Sequence, residues 1–176
     1  MVNNAGFGTN GLFHELDAER LDREVQLNVA ALTRLSHAAL AAMVPRRRGW
    51  LLNVASVAGF QPAPKLAVYA ATKAYVLSLS ESLHEEVRGS GVKVTALCPG
   101  LTKTEFQHVS NPGGDTDRFP GAAWTSIELV ARTGLDDVAA GKPISVPGTQ
   151  YKLLTTLSSI TPRWIKRRAS TRVPRD

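Results

Sequence analysis

The sequence predicts an α/β fold, a doubly wound parallel sheet in three α/β/α layers. Short apolar runs of strand character alternate along the chain with longer stretches of helical periodicity. The apolar runs are continuous, which is typical of parallel strands buried on both faces. A chain of 176 residues is long enough to form one such domain with its own core.

Four segments are predicted to be strands. Residues 1–4, MVNN, resemble the end of a strand. Residues 50–56, WLLNVAS, and 92–98, VKVTALC, are apolar runs that end in small residues or before a Pro-Gly pair. Residues 144–148, ISVPG, form a last short strand. The helical stretches between these strands are long enough to act as crossover connections in a parallel sheet.

Three segments are predicted to be helices. Residues 67–88 are mostly small or apolar and end at two glycines, and residues 126–134 form a short helix. Residues 101–124 are rich in Gly, Pro, Asn, Asp and Thr and predict a long loop, placed where open α/β sheets bind ligands. Residues 17–43 carry apolar side chains at a helical spacing of three or four: Leu21, Val25, Val29, Leu32, Leu35, Ala39 and Met43.

Composition excludes several classes of protein. The chain is 43% hydrophobic and 20% charged, and it has no apolar run near the roughly 20 residues that a membrane-spanning helix needs. One cysteine, Cys98, excludes an internal disulfide and a CxxC metal site, and the four histidines have no metal-ligand spacing. No metal is therefore expected, and a cytoplasmic location is favoured.

The positive charge of the chain lies in its last residues. Residues 1–150 hold 14 Lys and Arg against 14 Asp and Glu, whereas residues 151–176 hold seven against one. A basic tail on a neutral domain argues against a nucleic-acid-binding protein. The tail is either a final helix on the sheet with a frayed basic end or a segment that makes weak contact with an anionic membrane surface.

The segment VNNAGFGTNG contains Gly6, Gly8 and Gly11 in the spacing of a dinucleotide-binding fingerprint. That fingerprint requires a strand before its turn and a helix beginning at it. Only five residues precede Gly6, and no clear helix follows. The match is therefore predicted to be accidental, with Gly8 and Gly11 in a loop that needs positive φ.

Tyr69 and Lys73 form the strongest candidate site. They lie four residues apart on a predicted helix, so both project from one face. Alone, the pair is indistinguishable from a solvated helix pair. Ser56 at the carboxyl end of a buried strand, and Asn28 inside a helix where Asn is unfavourable, strengthen the interpretation.

With these residues the sequence resembles the short-chain dehydrogenase/reductase family, which has a Rossmann-like fold. The order and spacing of the motifs match that family over residues 1 to about 105. The matching segments are Asn3-Asn4-Ala5-Gly6, Asn28 in LNVAAL, Ser56 in NVASVAG, Tyr69-Ala-Ala-Thr-Lys73 and Pro99-Gly100-Leu-Thr-Lys-Thr104.

The resemblance implies an NAD(P)-dependent oxidoreductase acting on a carbonyl/alcohol pair, with lipid-like or steroid-like substrates and NADPH mildly preferred over NADH. Tyr69 would be the general acid or base, and Lys73 would lower the pKa of its phenol. Ser56 would orient the reacting oxygen, and Asn28 would hold a water in a proton relay. Cofactor contacts are implied for a larger set: Asn3, Ala5, Gly6, Asn28, Tyr69, Lys73, Pro99, Gly100 and Thr104.

One departure from the family concerns the amino-terminal region. The family's first strand, glycine-rich turn and cofactor-selecting strand have no counterpart before Met1, so the first βαβ units are expected to be missing. Residues 1–150 would then be the C-terminal two-thirds of one Rossmann-like domain, and residues 151–176 its basic tail. Either the start of the coding sequence is placed too far downstream, or the gene is a remnant. The 176 residues alone are expected to be poorly soluble and inactive.

Three alternatives remain beside the oxidoreductase. A non-catalytic scaffold would keep the fold and lack the glycine-rich nucleotide loop. A hydrolase using Ser56 and Lys73 lacks the S-x-x-K spacing or nucleophile elbow of such enzymes. A basic-tail adaptor would bind membranes or nucleic acid in a salt-dependent way. The resemblance also implies a homo-oligomer that pairs through residues 24–43 and 67–88.

Overall fold

The computed structural model describes residues 1–110 and 120–170 and confirms the parallel α/β prediction. Over these residues a parallel sheet has the strand order β1-β2-β3-β4. The last strand is shorter than predicted, because Pro147 has no N–H with which to extend the ladder. The strands are Val2–Asn3 (β1), Gly49–Val54 (β2), Val92–Leu97 (β3) and Ile144–Ser145 (β4).

Helices connect these strands. The predicted helix at 17–43 is two α-helices joined without a break by a π-helical segment at Gln26–Ala31. Within the described residues no helix is long and apolar enough to cross a membrane. The helices are Ala18–Val25 (α1), Leu32–Met43 (α2), Ala67–Glu86 (α3), Phe106–Ser110 (α4), Ile127–Ala140 (α5), Thr149–Ile160 (α6) and Arg163–Ser170 (α7).

Helix α5 extends beyond the predicted end at residue 134. The Ser126 side chain caps its first turn by accepting a hydrogen bond from the Leu129 amide, and Gly141 ends it at a φ of 73°. Gly134 lies inside the helix because the backbone packs closely on the sheet there. A Cβ at this position would lie 2.9 Å from the side chain of Leu97.

The two faces of the sheet bury different side chains, as the alternation of a strand requires. Leu51 of β2 packs with Met43 and Val87, on the face covered by α2 and α3. The next residue, Leu52, packs with Val138 of α5 on the opposite face. Helices therefore cover both faces of the sheet, which is the predicted three-layer arrangement.

The apolar period of residues 17–43 coincides only in part with the face that the helices bury. Val25 and Leu35 are exposed, while the polar side chains of Glu24, Asn28 and Ser36 are buried. The buried face of this helix meets the strand ends and polar groups of α3, so it carries hydrogen-bonding residues. Leu32 and Met43 of the same period are buried in the core, so only part of the apolar period points outward.

Residues 101–124 are not wholly irregular. Their described part contains α4, a 3-10 turn at Gly121–Ala123 and a bridge between Thr102 and Thr125, and residues 111–119 lie outside the described residues. The tail helices pack beside the loop after β2. Ser158 of α6 and Lys166 of α7 each donate to the Phe60 carbonyl at 3.3 Å.

Candidate active site

A cleft of about 1020 Å³ opens at the carboxyl ends of the first three strands. Parallel strands bring their carboxyl ends to one edge of the sheet, so the loops after them converge there. The predicted residues Asn3, Ala5 and Asn28 are not among its lining residues. The predicted site residues that line it are Gly6, Ser56, Tyr69, Lys73, Pro99, Gly100 and Thr104.

Tyr69 lies on the first turn of α3, with its side chain largely buried. Its ring packs against Phe106 with centroids 5.3 Å apart. The pKa of the Tyr69 phenol is raised to about 12, chiefly by burial and to a lesser degree by an ionised Glu24, while the neighbouring Ser56 hydroxyl opposes the rise. The expectation that Lys73 lowers this pKa is therefore wrong for the free site, because burial dominates and raises it. Tyr69 is a phenol at neutral pH, the form that donates a proton.

Lys73 lies one helical turn further along α3 and is 5% exposed. Its ammonium donates to the Val54 carbonyl at 2.8 Å and lies 5.7 Å from the centroid of the Tyr69 ring. Burial lowers the pKa of this ammonium to about 8. The structure thus places a buried cation on the same side of α3 as the Tyr69 ring.

Asn28 lies in the π-helical segment and fixes the loop after β1. Its Oδ1 accepts from the Phe7 amide at 3.2 Å, and its Nδ2 donates to the Phe7 carbonyl at 2.8 Å and to Thr72 Oγ1 at 3.1 Å. A Cβ on Gly6 would lie 2.9 Å from Asn28 Oδ1 and 3.5 Å from Lys73 Nζ. Gly6 therefore allows the loop to pack on both side chains.

The side chain of Asn3 is directed away from the cleft. Its Nδ2 donates to Ser36 Oγ at 3.1 Å and to Asn53 Oδ1 at 2.9 Å. Asn53 in turn donates to Ser80 Oγ at 3.0 Å. This buried polar chain ties β1 to β2 and to the helices behind them, so a cofactor contact by Asn3 would have to use its backbone.

Ser56 follows β2 and is largely buried at the cleft wall. Its hydroxyl accepts from the Ala58 amide at 3.1 Å and so caps the 3-10 turn at Val57–Phe60. The Val57 amide donates to the Pro99 carbonyl at 3.0 Å, which joins this loop to the one after β3. Ser56 is thus held close to the Tyr69 phenol.

The loop after β3 is held by Tyr151, which the sequence interpretation placed in the basic tail. The Tyr151 hydroxyl accepts from the Leu101 amide at 2.9 Å and donates to the Ala123 carbonyl at 2.7 Å. A Cβ on Gly100 would lie 2.1 Å from its ring. Thr104 is exposed, and its hydroxyl accepts from the Phe106 amide at the start of α4.

The three glycines of the fingerprint have separate structural roles. Only Gly11 has the expected positive φ, at 150°. The expectation for Gly8 is wrong, because Gly8 is instead required by packing: a Cβ there would lie 3.0 Å from Tyr69 Cδ2. Gly6 packs on Asn28 and Lys73, as described above.

Gly8→Ala is expected to displace the Tyr69 ring by a few tenths of an ångström and to lower kcat about tenfold. Steady-state kinetics of the whole protein measure this effect. Gly121→Ala is the matched control, because an added Cβ there meets no atom within 4 Å. Equal kcat values for the two variants would contradict the packing role of Gly8.

Within residues 1–110 and 120–170 no group of three or more His, Cys, Asp or Glu side chains gathers in a geometry that could hold a metal ion. Cys98 is fully buried, and burial raises the pKa of its thiol to about 12. It therefore packs as a small apolar residue at the end of β3.

Residues 1–114 match the family model described as short chain dehydrogenase. The very-long-chain 3-oxoacyl-CoA reductase of Mus musculus is 30% identical over 169 residues, which cover 94% of this chain and 51% of that protein. The protein named inactive 2-(S)-hydroxypropyl-CoM dehydrogenase 2 of Xanthobacter autotrophicus is 40% identical over 88% of this chain and 67% of its own length. The chain spans about half the length of the first curated relatives it matches.

Solved structures are similar over most of the chain. A short-chain dehydrogenase from Sphingobium yanoikuyae in complex with NADPH matches with a TM-score of 0.76 and 30% identity. The match covers 92% of this chain and 65% of that one.

Proposed function

The chain belongs to the short-chain dehydrogenase/reductase family, and on this premise we propose that the whole protein transfers hydride between a nicotinamide cofactor and a carbonyl or alcohol substrate. The observation that carries the proposal is the convergence of Ser56, Tyr69 and Lys73 on one cleft at the strand ends. A proton donor, a cation beside it and a hydroxyl that orients the substrate oxygen are the groups that carbonyl reduction requires.

Each residue has a defined task in this proposal. In the reductive direction Tyr69 donates its proton to the carbonyl oxygen, while Ser56 hydrogen-bonds that oxygen and holds it in place. The Lys73 ammonium stabilises the phenolate that remains. Asn28 holds a water behind the lysine for proton return. The hydride is supplied by the bound nicotinamide cofactor.

The donor set around Lys73 fits a nicotinamide nucleotide. Among the described residues Lys73 donates one hydrogen bond, to Val54, although an ammonium carries three N–H groups. The others are available for the hydroxyls of the nicotinamide ribose. Gly6, Pro99, Gly100 and Thr104 line the same cleft and would contact the cofactor, and we propose backbone contacts for Asn3 and Ala5.

The cofactor is proposed to be NADP or NAD, with NADPH favoured. A relative of known structure was solved with NADPH, although another was solved with NADH. Isothermal titration of the whole protein with each reduced nucleotide tests this preference. Tighter binding of NADH than of NADPH would reverse the assignment, and no binding of either would contradict the oxidoreductase proposal.

The substrate is proposed to be a lipid-like or steroid-like carbonyl compound. The cleft wall carries apolar side chains from several loops, among them Val57, Leu66 and Leu101. Relatives are named for the reduction of 3-oxoacyl-CoA and acetoacetyl-CoA. Turnover measured over ketones of increasing chain length should rise with apolar length, whereas a preference for small polar ketones would contradict this proposal.

A second candidate is a non-catalytic scaffold, favoured by the relative that is named inactive. Poor solubility of the 176 residues alone is also proposed, since Val2, Ile127 and Leu135 expose apolar surface. Nucleotide binding without turnover of any ketone or alcohol would support the scaffold. Measurable turnover would reject it.

A homo-oligomer is proposed to form through residues 24–43 and 67–88. The exposed apolar side chains Val25, Leu35 and Tyr75 lie on these helices and would be buried by a second copy. Sedimentation velocity of the whole protein tests this assignment. A Leu35→Glu variant that sediments as the wild type does would contradict it.

Weak membrane contact through the tail and a cytoplasmic location are also proposed. Leu153, Leu157 and Trp164 are exposed on α6 and α7, next to Lys and Arg residues. Co-sedimentation with anionic vesicles that falls with rising salt would support the contact. Equal binding to neutral vesicles would contradict the membrane contact. Fractionation of cells tests the cytoplasmic location.

A further inference from the structure

Glu24 is a buried carboxylic acid that makes no well-aligned hydrogen bond with the described residues. It is 0% exposed, on a helix whose neighbouring residues Asp22 and Arg23 are exposed. Neither carboxyl oxygen has a partner with hydrogen-bond geometry in the described part of the chain. Buried carboxylates are nearly always paired or hydrogen-bonded, so this placement requires a reason beyond packing.

Among the described residues, groups on three elements interact with the Glu24 carboxyl. Thr9 faces it from the loop after β1, and its hydroxyl and backbone lower the pKa of the carboxyl, although the Thr9 hydroxyl makes no well-aligned hydrogen bond there. Arg20 faces it from one turn earlier on α1. From α3, which packs against α1, the charge of Lys73 acts on it, and the charge of Glu24 in turn acts on the Tyr69 phenol. The carboxyl therefore lies in the interior on a helix that packs against α3, four residues before Asn28, which hydrogen-bonds Thr72 next to Lys73.

We propose that Glu24 is a positioning residue whose buried negative charge keeps Tyr69 as a phenol and Lys73 as an ammonium. This inference rests on the proposed function, to which it adds a preferred direction of the reaction. The phenol and ammonium forms are those that donate a proton to a carbonyl and stabilise the phenolate left behind. Glu24 therefore favours the reductive direction by widening the pH range over which the donor is protonated.

The physical basis is the sign of the interaction. A negative charge opposes loss of a proton from any neighbouring group, so an ionised Glu24 raises the pKa of both Tyr69 and Lys73, and at Lys73 the neighbouring Cys98 acts in the same direction. The effect is large only where water is excluded, as it is around these buried side chains. Burial also raises the pKa of Glu24 itself, whereas Thr9, Arg20 and Lys73 lower it. Glu24 therefore raises the pKa of Tyr69 and Lys73 only while it is ionised, and this effect is lost as falling pH protonates its carboxylate.

The test is the titration of Lys73 in the whole protein without cofactor or substrate. Lysine-selective NMR follows its side-chain resonance against pH, and Lys73→Met identifies that resonance by its loss. Glu24→Gln keeps the side-chain shape and removes the charge, and it is expected to increase the acid constant of Lys73 about tenfold. Asp22→Asn, an exposed carboxylate on the same helix, is the matched control and should leave the titration unchanged.

Equal titration of Lys73 in the wild type and in Glu24→Gln would overturn the inference. If Glu24→Gln fails to fold, the reciprocal measurement decides it: the carboxyl carbon of Glu24 should titrate at higher pH in Lys73→Met than in the wild type. An unchanged Glu24 titration would also overturn the inference.

The titration is separate from turnover. If Glu24→Gln shifts the Lys73 titration in a protein that reduces no ketone, the proposed function is contradicted, but the effect of Glu24 on Lys73 stands. An uncoupled Lys73 in an active enzyme would contradict only the role of Glu24.

Discussion

Replacement of Tyr69 by Phe is expected to lower kcat for ketone reduction by about 10²- to 10⁴-fold, the usual contribution of a positioned proton donor. The variant keeps the ring that packs against Phe106 and against the Cα of Gly8, and it loses only the hydroxyl. Nucleotide affinity and the thermal unfolding temperature should therefore change little. The comparison is made in the whole protein with steady-state kinetics and calorimetric titration.

Tyr75→Phe is the matched control for this prediction. Tyr75 lies on the same helix, is exposed, and its hydroxyl hydrogen-bonds Thr33 at 3.0 Å. Its replacement should leave kcat unchanged. Retained turnover in Tyr69→Phe, with Tyr75→Phe also active, would show that another group donates the proton.

Replacement of Lys73 by Met is expected to abolish turnover and to stabilise the fold at neutral pH. Burial lowers the pKa of the Lys73 ammonium from 10.5 to about 8, which corresponds to about 3 kcal/mol against burying the charge. Loss of the hydrogen bond to the Val54 carbonyl opposes this gain by about 1 kcal/mol. A net gain of about 2 kcal/mol should raise Tm by a few degrees.

The stabilisation should depend on pH. In the unfolded chain Lys73 keeps its proton up to about pH 10.5, and in the folded chain up to about pH 8. Between these values the wild type gains stability as pH rises, since its unfolded state binds more protons. The advantage of Lys73→Met is therefore full below pH 8 and lost near pH 10.5.

Thermal unfolding at both ends of this range measures the pH dependence. Lys152→Met, at an exposed position on α6, is the control. A lower Tm for Lys73→Met at neutral pH would contradict the account of a buried charge at Lys73.

The sequence pattern predicted the parallel sheet and the shared helix face of Tyr69 and Lys73, and the family resemblance implied that Ser56 joins them. Strand ends in a parallel sheet meet at one edge, and a four-residue spacing on a helix puts two side chains on one face. The first rule follows from the topology of the sheet and the second from local helix geometry, so both can be applied to a single sequence. The contacts of Asn28 with Phe7 and Thr72 followed from no such rule.

The burial of Glu24 and the role of Tyr151 could not be predicted from the sequence. The apolar period in residues 17–43 favours Val25 as a core residue, yet the helix turns its polar face inward because polar strand ends and α3 lie there. Tyr151 lies 50 residues from its partner Leu101. Contacts at such separation depend on the assembled fold.

The structural roles of Gly6, Gly8 and Gly11 could not be predicted from the sequence either. Their spacing suggests a phosphate loop, but spacing alone cannot distinguish a glycine that admits a ligand from one that admits a neighbouring side chain. In the structure Gly8 packs on Tyr69 and Gly6 on Asn28 and Lys73. The same glycines thus support the site by close packing.

The most direct test of hydride transfer at this site uses NADPH deuterated at the transferable position of its nicotinamide ring. The whole protein is incubated with this cofactor and a panel of apolar ketones, and the products are analysed by mass spectrometry. The wild type is expected to form an alcohol that carries deuterium on its carbinol carbon, and Tyr69→Phe is expected to form it about 10²- to 10⁴-fold more slowly. Absence of any deuterated alcohol, or its equal formation by Tyr69→Phe, would contradict the account.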